Sequence, residues 1–419
     1  MTSTAGNKAN LRNYALVTAA YWGFTITDGA LRMLVLLHFH LLGYAPLQIA
    51  MLFLFYEIFG VVTNLLGGWI GSQFGLKLTL YGGIGLQVFA LAMLALLNPE
   101  WAVWMQVTYV MVAQAFSGIA KDLTKMSSKS AIRLVVPQEA QSSLFKWVAI
   151  LTGSKNALKG VGFFVGSVLL AQFGFVNALL IMVGGLCLIL GTGVLLPQGM
   201  GKIKTKVKFT QLFSKSREIN ILSAARFFLF GARDVWFVVA LPVFLYSTLG
   251  WTFEQVGGFM ACWVMGYGTV QFLAPNLLRW LGSGAAPQGK TIQIWTFVLS
   301  AIPAAIALSL QLRVSPALTI VAGLSIFGII FAFNSAIHSY LVLAYTDDDK
   351  VALNVGFYYM ANSGGRLAGT VLSGLIFQLF GLVGCLWVSM AFVLAAGAIS
   401  LKLADPQPQK AIAWKAGDD

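Results

Sequence analysis

Long apolar runs alternate with short polar breaks along almost the whole chain, from Tyr14 to about Leu403. A bilayer core about 30 Å thick needs about 20 apolar residues per helical span, and runs of this length recur. They are continuous, whereas the strands of a membrane barrel alternate in polarity over about ten residues. The pattern predicts an all-α membrane protein with twelve transmembrane helices, centred near residues 27, 58, 88, 110, 157, 185, 233, 266, 300, 330, 365 and 391.

Composition agrees with this prediction. Of the 419 residues 58% are hydrophobic and 10% are charged, whereas a soluble domain has about 25% charged residues. Cys187, Cys262 and Cys385 each lie in a different apolar run, which favours buried free thiols over a disulfide framework or a metal site. We therefore expect neither a metal nor another cofactor. The polar residues 1–13 carry no cleavage site, which makes the first span an uncleaved anchor.

The net charge of +13 is unevenly distributed. With residues 1–13 in the cytoplasm and the loops assigned in turn, most of the 27 Lys and Arg residues fall on the inner side, and Arg313 alone falls on the outer side. This asymmetry is typical of the positive-inside rule. We therefore expect a multi-pass protein of the cell's inner membrane, with both termini cytoplasmic, the lipid bilayer around it and no nucleic-acid partner.

The chain also contains an internal repeat. An offset of 207 residues pairs Gln48 with Gln255 and superimposes five glycines. The glycine pairs are Gly43 with Gly250, Gly75 with Gly282, Gly82 with Gly289, Gly162 with Gly369, and Gly174 with Gly381. Parallel halves of six spans are the pattern of the major facilitator superfamily. We predict that fold, with two pseudo-symmetric six-helix bundles at 1–196 and 219–419, a cytoplasmic basic linker at 197–218 and a short cytoplasmic tail.

Charged residues at membrane depth carry the functional signal. The basic ones are Arg32, Lys155, Lys159, Arg226, Arg233 and Arg366, and the acidic ones are Asp28, Glu57 and Asp234. Each costs about 2.5–3.5 kcal/mol at a helix centre, so each should face a wet cavity or find a partner. If all are ionised, three positive charges remain uncompensated, which suits a multivalent anion. We assign the six basic residues and Asn362 to a substrate site between the halves.

Lys159 and Arg366 are the strongest candidates in this set. Lys155 and Lys159 lie one helical turn apart on a span that contains no acid, and like charges at this spacing repel. At the offset of 207, Lys159 matches Arg366 and Lys155 matches Asn362. Two cations at equivalent points of the fifth and eleventh spans would face one another across the cavity. We therefore predict that Lys159 and Arg366 contact the substrate.

The acids have two interpretations. Asp28 and Arg32 have the favourable order for an ion pair within one helix, whereas Arg233 and Asp234 are helix neighbours that should point in different directions. A lone buried carboxylate can also titrate during transport. Glu57, Asp28 and Asp234 are therefore candidate proton carriers, and Glu57 could equally be the partner of an arginine.

Two further pairs remain open. Asn334 and His338 lie one turn apart on the tenth span and could contact the substrate or form hydrogen bonds between helices. Lys121 and Lys125 lie on a basic cytoplasmic extension of the fourth span. They could contact lipid phosphates, or they could form a vestibule that attracts an anion from the cytoplasm.

Four segments, 21–44, 117–131, 144–164 and 223–246, resemble the organoarsenical efflux permeases of arsenic-resistance operons, the ArsJ-type branch of the superfamily. The resemblance extends over nearly the whole chain. It implies export of 1-arseno-3-phosphoglycerate and resistance to arsenate. It also implies a functional partner, a glyceraldehyde-3-phosphate dehydrogenase that forms this ester by using arsenate in place of phosphate. No site residue follows from the resemblance, so the candidates above depend on charge alone.

Alternative functions share parts of this pattern. A transporter of organophosphates or sugar phosphates, or an anion exchanger of the same superfamily, would need the same cations. A polytopic membrane enzyme would need a reactive His, Asp or Cys set at a membrane face, and the sequence displays none. We therefore expect a monomeric carrier that works by alternating access and is not an enzyme. Its coupling, to protons or to exchange with an anion such as phosphate, is left open.

Overall fold

The computed structural model describes residues 2–74, 76–131, 141–197, 216–281, 289–345 and 351–403. Within these ranges the regular structure is helical, with no strand. The helices are α1 (Thr2–Leu41), α2 (Pro46–Leu52), α3 (Leu54–Phe74), α4 (Leu76–Ala95), α5 (Val103–Ala131), α6 (Gln141–Gly191), α7 (Arg217–Phe237), α8 (Ala240–Ser247), α9 (Phe253–Leu281), α10 (Gly289–Gln311), α11 (Pro316–Ala344) and α12 (Val351–Ser400), and a short 3-10 turn, Thr192–Leu195, follows α6. The prediction of an all-α protein is confirmed for this part of the chain.

Two of the long helices change direction at a glycine. Gly174 in α6 has φ 72° and ψ −179°, and Gly381 in α12 has φ 64° and ψ −167°. A positive φ is accessible to glycine without steric cost, so the chain can turn there without a loop. Nine helices of the described residues are long and apolar enough to cross a membrane, and α6 and α12 each include two predicted spans. The count of twelve spans stays a prediction.

The repeat inferred from the sequence recurs in backbone geometry. Gly43 and Gly250 both have positive φ, as do Gly174 and Gly381, and both pairs are separated by 207 residues. The side chain of Gln48 accepts a hydrogen bond from the Ala45 N–H at 2.9 Å, and Gln255 accepts one from the Thr252 N–H at 2.9 Å. Equivalent positions therefore form equivalent turns. The domain boundaries stay predictions, and residues 198–215 of the linker, Gly75 and Gly282 lie outside the described ranges.

Glycines allow the helices that carry the charged residues to approach closely. A Cβ on Gly162 of α6 would lie 3.0 Å from the Cα of Gly29 on α1, and a Cβ on Gly369 of α12 would lie 3.2 Å from the Cα of Gly231 on α7. Contacts this short require that something move, so both positions favour glycine. The result is that α6 packs on α1 in one half and α12 packs on α7 in the other.

The two predicted halves meet along α3 with α12 and along α6 with α9. Near the turn at Gly43, Gln378 of α12 accepts a hydrogen bond from the Leu47 N–H at 3.3 Å. On the same side, a Cβ on Gly257 of α9 would clash with Ser167 of α6. The halves are therefore tightly packed at this end of the molecule, and the charged residues lie further along the same helices.

The cysteines differ from expectation. Cys385 is buried, but Cys187 and Cys262 are exposed on the surface of the helices. The prediction of three buried thiols is therefore wrong for two of them. An apolar run predicts insertion into lipid, and a helix in lipid has an outward face on which a small thiol is tolerated.

Candidate functional site

A chain of ion pairs connects the two halves. The Oε1 atom of Glu57 on α3 lies 2.7 Å from Nη2 of Arg32 on α1 and 2.7 Å from Nη2 of Arg366 on α12. Arg366 also reaches α7, where its Nε lies 3.1 Å from Oδ2 of Asp234. Arg366 therefore bridges a carboxylate of the first half and a carboxylate of the second.

Two further pairs extend this chain. Nζ of Lys159 on α6 lies 3.5 Å from Oδ2 of Asp28 on α1, and the Tyr56 hydroxyl donates a hydrogen bond of 2.6 Å to the other oxygen of Asp28. Nη2 of Arg233 lies 2.5 Å from Oδ1 of Asp234. We call Asp28, Arg32, Glu57, Lys159, Arg233, Asp234 and Arg366 the central charged cluster.

Cations and carboxylates differ in how they face the space between the helices. The side chain of Glu57 is 1% exposed and that of Asp234 is 1% exposed, whereas Lys159 and Arg366 keep 18% and 17% of their side-chain surface accessible. A molecule that enters between the halves therefore meets the positive side of each pair. In this respect the cluster suits an anion.

The helix α5 adds a second group of charges. Nζ of Lys125 lies 3.0 Å from Oδ1 of Asp122 and donates a hydrogen bond of 2.6 Å to the side chain of Asn64. Nζ of Lys121 lies 4.0 Å from the centre of the Tyr56 ring, and no carboxylate of the described residues lies within ion-pair distance of it. Asp122 was not among the residues predicted from the sequence, because this part of α5 was expected to lie beyond the membrane. Its spacing from Lys125 is that of a helical ion pair.

Arg226 on α7 has a different environment. Its Nε donates a hydrogen bond of 2.9 Å to Asn362, and its Nη1 donates one of 3.2 Å to the hydroxyl of Ser335. The same hydroxyl lies 3.2 Å from the Tyr267 hydroxyl and 3.3 Å from Nε2 of Gln271. Arg226 is 4% exposed, and in the described part of the chain no carboxylate pairs with it. We call these five residues, with His338, the Arg226 pocket.

Asn334 and His338 have separate environments. The side chain of Asn334 accepts a hydrogen bond of 2.8 Å from Thr296 and donates one of 2.9 Å to the carbonyl of Trp295. These bonds connect α10 and α11, which is the helix-to-helix alternative left open above. His338 is fully buried, and neither of its ring nitrogens has a hydrogen-bond partner among the described residues.

The spacing of charges along a helix does not decide which of them pair. Asp28 and Arg32 do not pair along α1, because Asp28 pairs with α6 and Arg32 pairs with α3. Arg233 and Asp234 do contact one another, because the long guanidinium side chain folds back onto its neighbour. Spacing along a helix describes where the Cα–Cβ bonds point, but a long side chain can reach beyond that direction.

Cations also outnumber carboxylates when the charges of α5 are added to the predicted set. The described cluster, the α5 charges and the Arg226 pocket together hold seven cations, namely Arg32, Lys121, Lys125, Lys159, Arg226, Arg233 and Arg366. They hold four carboxylates, namely Asp28, Glu57, Asp122 and Asp234. The surplus is three, and Lys155, half-buried one turn before Lys159, is not included in it.

The described residues hold no group of three or more His, Cys, Asp or Glu side chains that could bind a metal ion. The side chains of the candidate site carry guanidinium, ammonium, carboxylate, amide and hydroxyl groups. Such a set can bind and release a charged molecule or a proton.

No family model matches the chain. A Na⁺, Li⁺, K⁺/H⁺ antiporter of Planococcus maritimus is 30% identical over 141 residues, and the match spans 34% of this chain and 32% of the antiporter. The chain thus matches about a third of the length of that curated relative.

Solved structures match over almost the full length. The nucleoside transporter NupG has a TM-score of 0.72 at 14% identity, and the match covers 94% of this chain and 99% of that one. A bacterial homologue of the iron transporter ferroportin, in an inward-facing state, has a TM-score of 0.69 at 15% identity, with coverages of 94% and 98%. A transporter in complex with 5-aminolevulinic acid has a TM-score of 0.72 at 13% identity, with coverages of 93% and 95%. This chain has the fold of the major facilitator superfamily.

Proposed function

We propose that this protein is a membrane transporter that moves a small organic anion by alternating access and is not an enzyme. The observation that carries this proposal is the surplus of cations over carboxylates between α1, α3, α5, α6, α7, α11 and α12. Charges buried at membrane depth are costly and usually mark the pathway of a substrate or an ion. A surplus of positive charge stabilises a negative substrate there.

Cation transport is the competing function, because of the partial match to an antiporter. A cation needs a carboxylate that is available to bind it. Here each of the four buried carboxylates is within 4 Å of at least one Lys or Arg side chain. The pairing in the central charged cluster therefore favours an anion over a metal cation.

The substrate we propose is 1-arseno-3-phosphoglycerate, exported across the inner membrane so that the cell resists arsenate. Its two anionic ends suit a site in which cations come from both halves, such as Lys159 on α6 and Arg366 on α12. Lysine binds phosphate as a point charge, and arginine can grip it with two parallel hydrogen bonds. A glyceraldehyde-3-phosphate dehydrogenase would supply the ester in the cytoplasm.

The mechanism follows from the ion pairs of Arg366. An anion that binds Arg366 competes with Glu57 and Asp234 for the same guanidinium. Weakening these contacts loosens the connection between α12 and α3, which allows the halves to rock about the site. Glu57, Asp28 and Asp234 are the residues we propose for proton coupling.

The test is to express the chain in arsenate-sensitive cells with and without the dehydrogenase. We expect resistance, and the appearance of the ester or its arsenate product outside the cells, only when both proteins are present. The Arg366→Ala variant, checked for membrane insertion by immunoblot, is the control for transport through the cluster. Resistance that is equal without the dehydrogenase would overturn this substrate.

Exchange of organophosphates is the second candidate, because the same surplus of cations would bind a sugar phosphate. Proteoliposomes loaded with phosphate and presented with labelled 3-phosphoglycerate measure this exchange directly. Rapid counterflow that does not depend on arsenate would favour the exchanger. Uptake of Na⁺ or K⁺ with no response to either anion would favour the cation antiporter and refute both proposals.

A further inference from the structure

We propose that the Arg226 pocket is a subsite for a tetrahedral oxyanion, such as a phosphoryl or arsenyl group at one end of the transported molecule. This inference rests on the proposed function as an anion transporter and names the group that one half recognises. The cation of the pocket is almost fully buried, and the side chains that touch it are neutral. A buried charge with no counter-charge is strongly unfavourable, and a bound anion removes that penalty.

Hydrogen-bond donors converge within the pocket. Nη1 of Arg226, the hydroxyl of Tyr267 and Nε2 of Gln271 all lie 3.2–3.3 Å from the hydroxyl oxygen of Ser335. Nη1 of Arg226 also donates a longer hydrogen bond of 3.4 Å to the Ser335 carbonyl. A hydroxyl oxygen has two lone pairs and cannot satisfy three donors well. An oxyanion has several acceptor oxygens, each with lone pairs to spare. The three donors are therefore arranged for a ligand richer in acceptors than Ser335.

His338 is an independent indication of a ligand. It lies three residues after Ser335 on α11, so the two side chains share one face of the helix. Its exposed fraction is 0%, and within the described residues neither nitrogen has a partner. An imidazole buried without hydrogen bonds costs the desolvation of its polar atoms. An oxyanion in the pocket would accept the hydrogen bond from its N–H group.

Aromatic rings pack against the guanidinium of Arg226. The guanidinium carbon of Arg226 lies 3.9 Å from the ring centre of Phe230 and 5.0 Å from that of Tyr358. These rings exclude water on two sides and fix the plane of the guanidinium, which strengthens its hydrogen bonds to an anion.

The pocket borders the central charged cluster. Asn362, which accepts the hydrogen bond of Arg226, precedes Arg366 by four residues on α12. This is a rise of about 6 Å along the helix axis. A molecule whose oxyanion binds Arg226 therefore extends its other end toward Arg366, and its second charge is the one that competes for the ion pairs.

Binding to the purified full chain tests the inference. The probes are 3-phosphoglycerate and inorganic phosphate, measured by isothermal titration calorimetry in lipid nanodiscs. We expect Arg226→Gln to weaken binding of 3-phosphoglycerate about tenfold or more, because a charged hydrogen bond is lost. Arg226→Lys keeps the charge but not the paired donors, so we expect an intermediate loss. Arg217→Gln, which removes the same charge at the exposed start of the same helix, is the matched control and should bind almost as the wild type does.

Gln271→Met provides a milder variant in case Arg226→Gln does not fold. It removes the donor to Ser335 and the long hydrogen bond of 3.5 Å that Gln271 accepts from Asn156. It keeps the side-chain volume, so we expect weaker binding with a melting temperature close to that of the wild type. Equal affinity of wild type, Gln271→Met and a folded Arg226 variant would overturn the inference. The proposed substrate is tested separately. Arg226-dependent binding of 3-phosphoglycerate in a chain that gives no arsenate resistance would support the pocket and refute the arsenical.

Discussion

The central charged cluster and the Arg226 pocket lie side by side, but their cations differ in whether a carboxylate pairs with them. In the cluster each arginine and lysine has a carboxylate partner, and Arg366 has two, from opposite halves. In the pocket Arg226 has only amide, hydroxyl, carbonyl and aromatic neighbours among the described residues. In the cluster four cations share three carboxylates, so most of the positive charge is neutralised. In the described part of the pocket Arg226 has no carboxylate partner.

This difference indicates that the two groups of cations have different functions. A cation that the protein already neutralises can still meet a substrate, but the substrate must compete with a carboxylate. A cation that the protein leaves without a counter-charge binds an anion without such competition. We therefore expect the pocket to determine affinity and the cluster to couple binding to movement of the halves.

Removing the shared carboxylate should have the largest effect. Glu57→Gln leaves Arg32 and Arg366 without their common partner, and breaking a buried ion pair costs about 3–5 kcal/mol. We expect a large fall in the melting temperature of the purified protein and no transport. Glu100→Gln, in an exposed turn, is the control. A melting temperature equal to that of the wild type would mean that the cluster contributes little to stability.

Removing a cation of the cluster should affect transport more than folding. After Arg366→Ala, Glu57 keeps Arg32 and Asp234 keeps Arg233, so we expect normal insertion and a smaller loss of stability, about 1–3 kcal/mol. Export should be abolished by Arg366→Ala and also by Lys159→Ala. Lys159→Ala removes the ion-pair partner of Asp28, so its loss of stability should be larger, about 3–5 kcal/mol. Efflux assays on cells with matched amounts of membrane protein measure this. Wild-type export by either variant would remove that residue from the mechanism.

Substitution of Asn334 in the second half should affect stability and not transport, in contrast to Arg366→Ala. Asn334→Ala removes hydrogen bonds between α10 and α11, which should cost about 1–2 kcal/mol. Transport per folded molecule should stay close to that of the wild type, because the residue contacts neither the cluster nor Arg226. Thermal unfolding and uptake, measured on the same preparation, separate the two effects. A rise in the KM for substrate with unchanged stability would contradict this prediction.

Substitution of the two lysines of α5, Lys121 and Lys125, should have the smallest effects on transport. Lys125 is paired with Asp122, whereas Lys121 lies against the Tyr56 ring. If Lys121 attracts anions, Lys121→Gln should lower the rate of uptake more than Lys125→Gln, and the difference should shrink as salt screens the charge. Initial rates at two ionic strengths measure this. Equal effects of both variants would favour contact with lipid phosphates for both.

Much of the architecture is predictable from the sequence, because the helices depend on the length of the apolar runs and the two halves depend on the internal repeat. Continuous apolar runs require helices in lipid, and an offset of 207 residues located the paired turns at Gly43 and Gly250. Both signals are local or repeated, and neither depends on which helices touch. The ion pairs that α1 forms with α3 and α6 are not predictable in this way. They depend on how closely helices that are distant in sequence approach one another.

The candidate site illustrates this limit. Asp28 pairs with Lys159, 131 residues away, and not with Arg32 one turn along the same helix. Gln271 and Ser335 are ordinary polar residues in the sequence, and their convergence on Arg226 arises only when α9 and α11 pack beside α7. The charges at membrane depth were found from the sequence, but their partners required the packing.

The two halves differ at the positions that form the Arg226 pocket. At the same offset, Gln271 of the second half matches Asn64 of the first, and Ser335 matches Ser128, but Arg226 matches Ala19. The two halves thus share polar residues at these equivalent positions, and only the second half has a guanidinium there. A molecule bound between them would meet this charge from one side only, so its two ends would not be interchangeable.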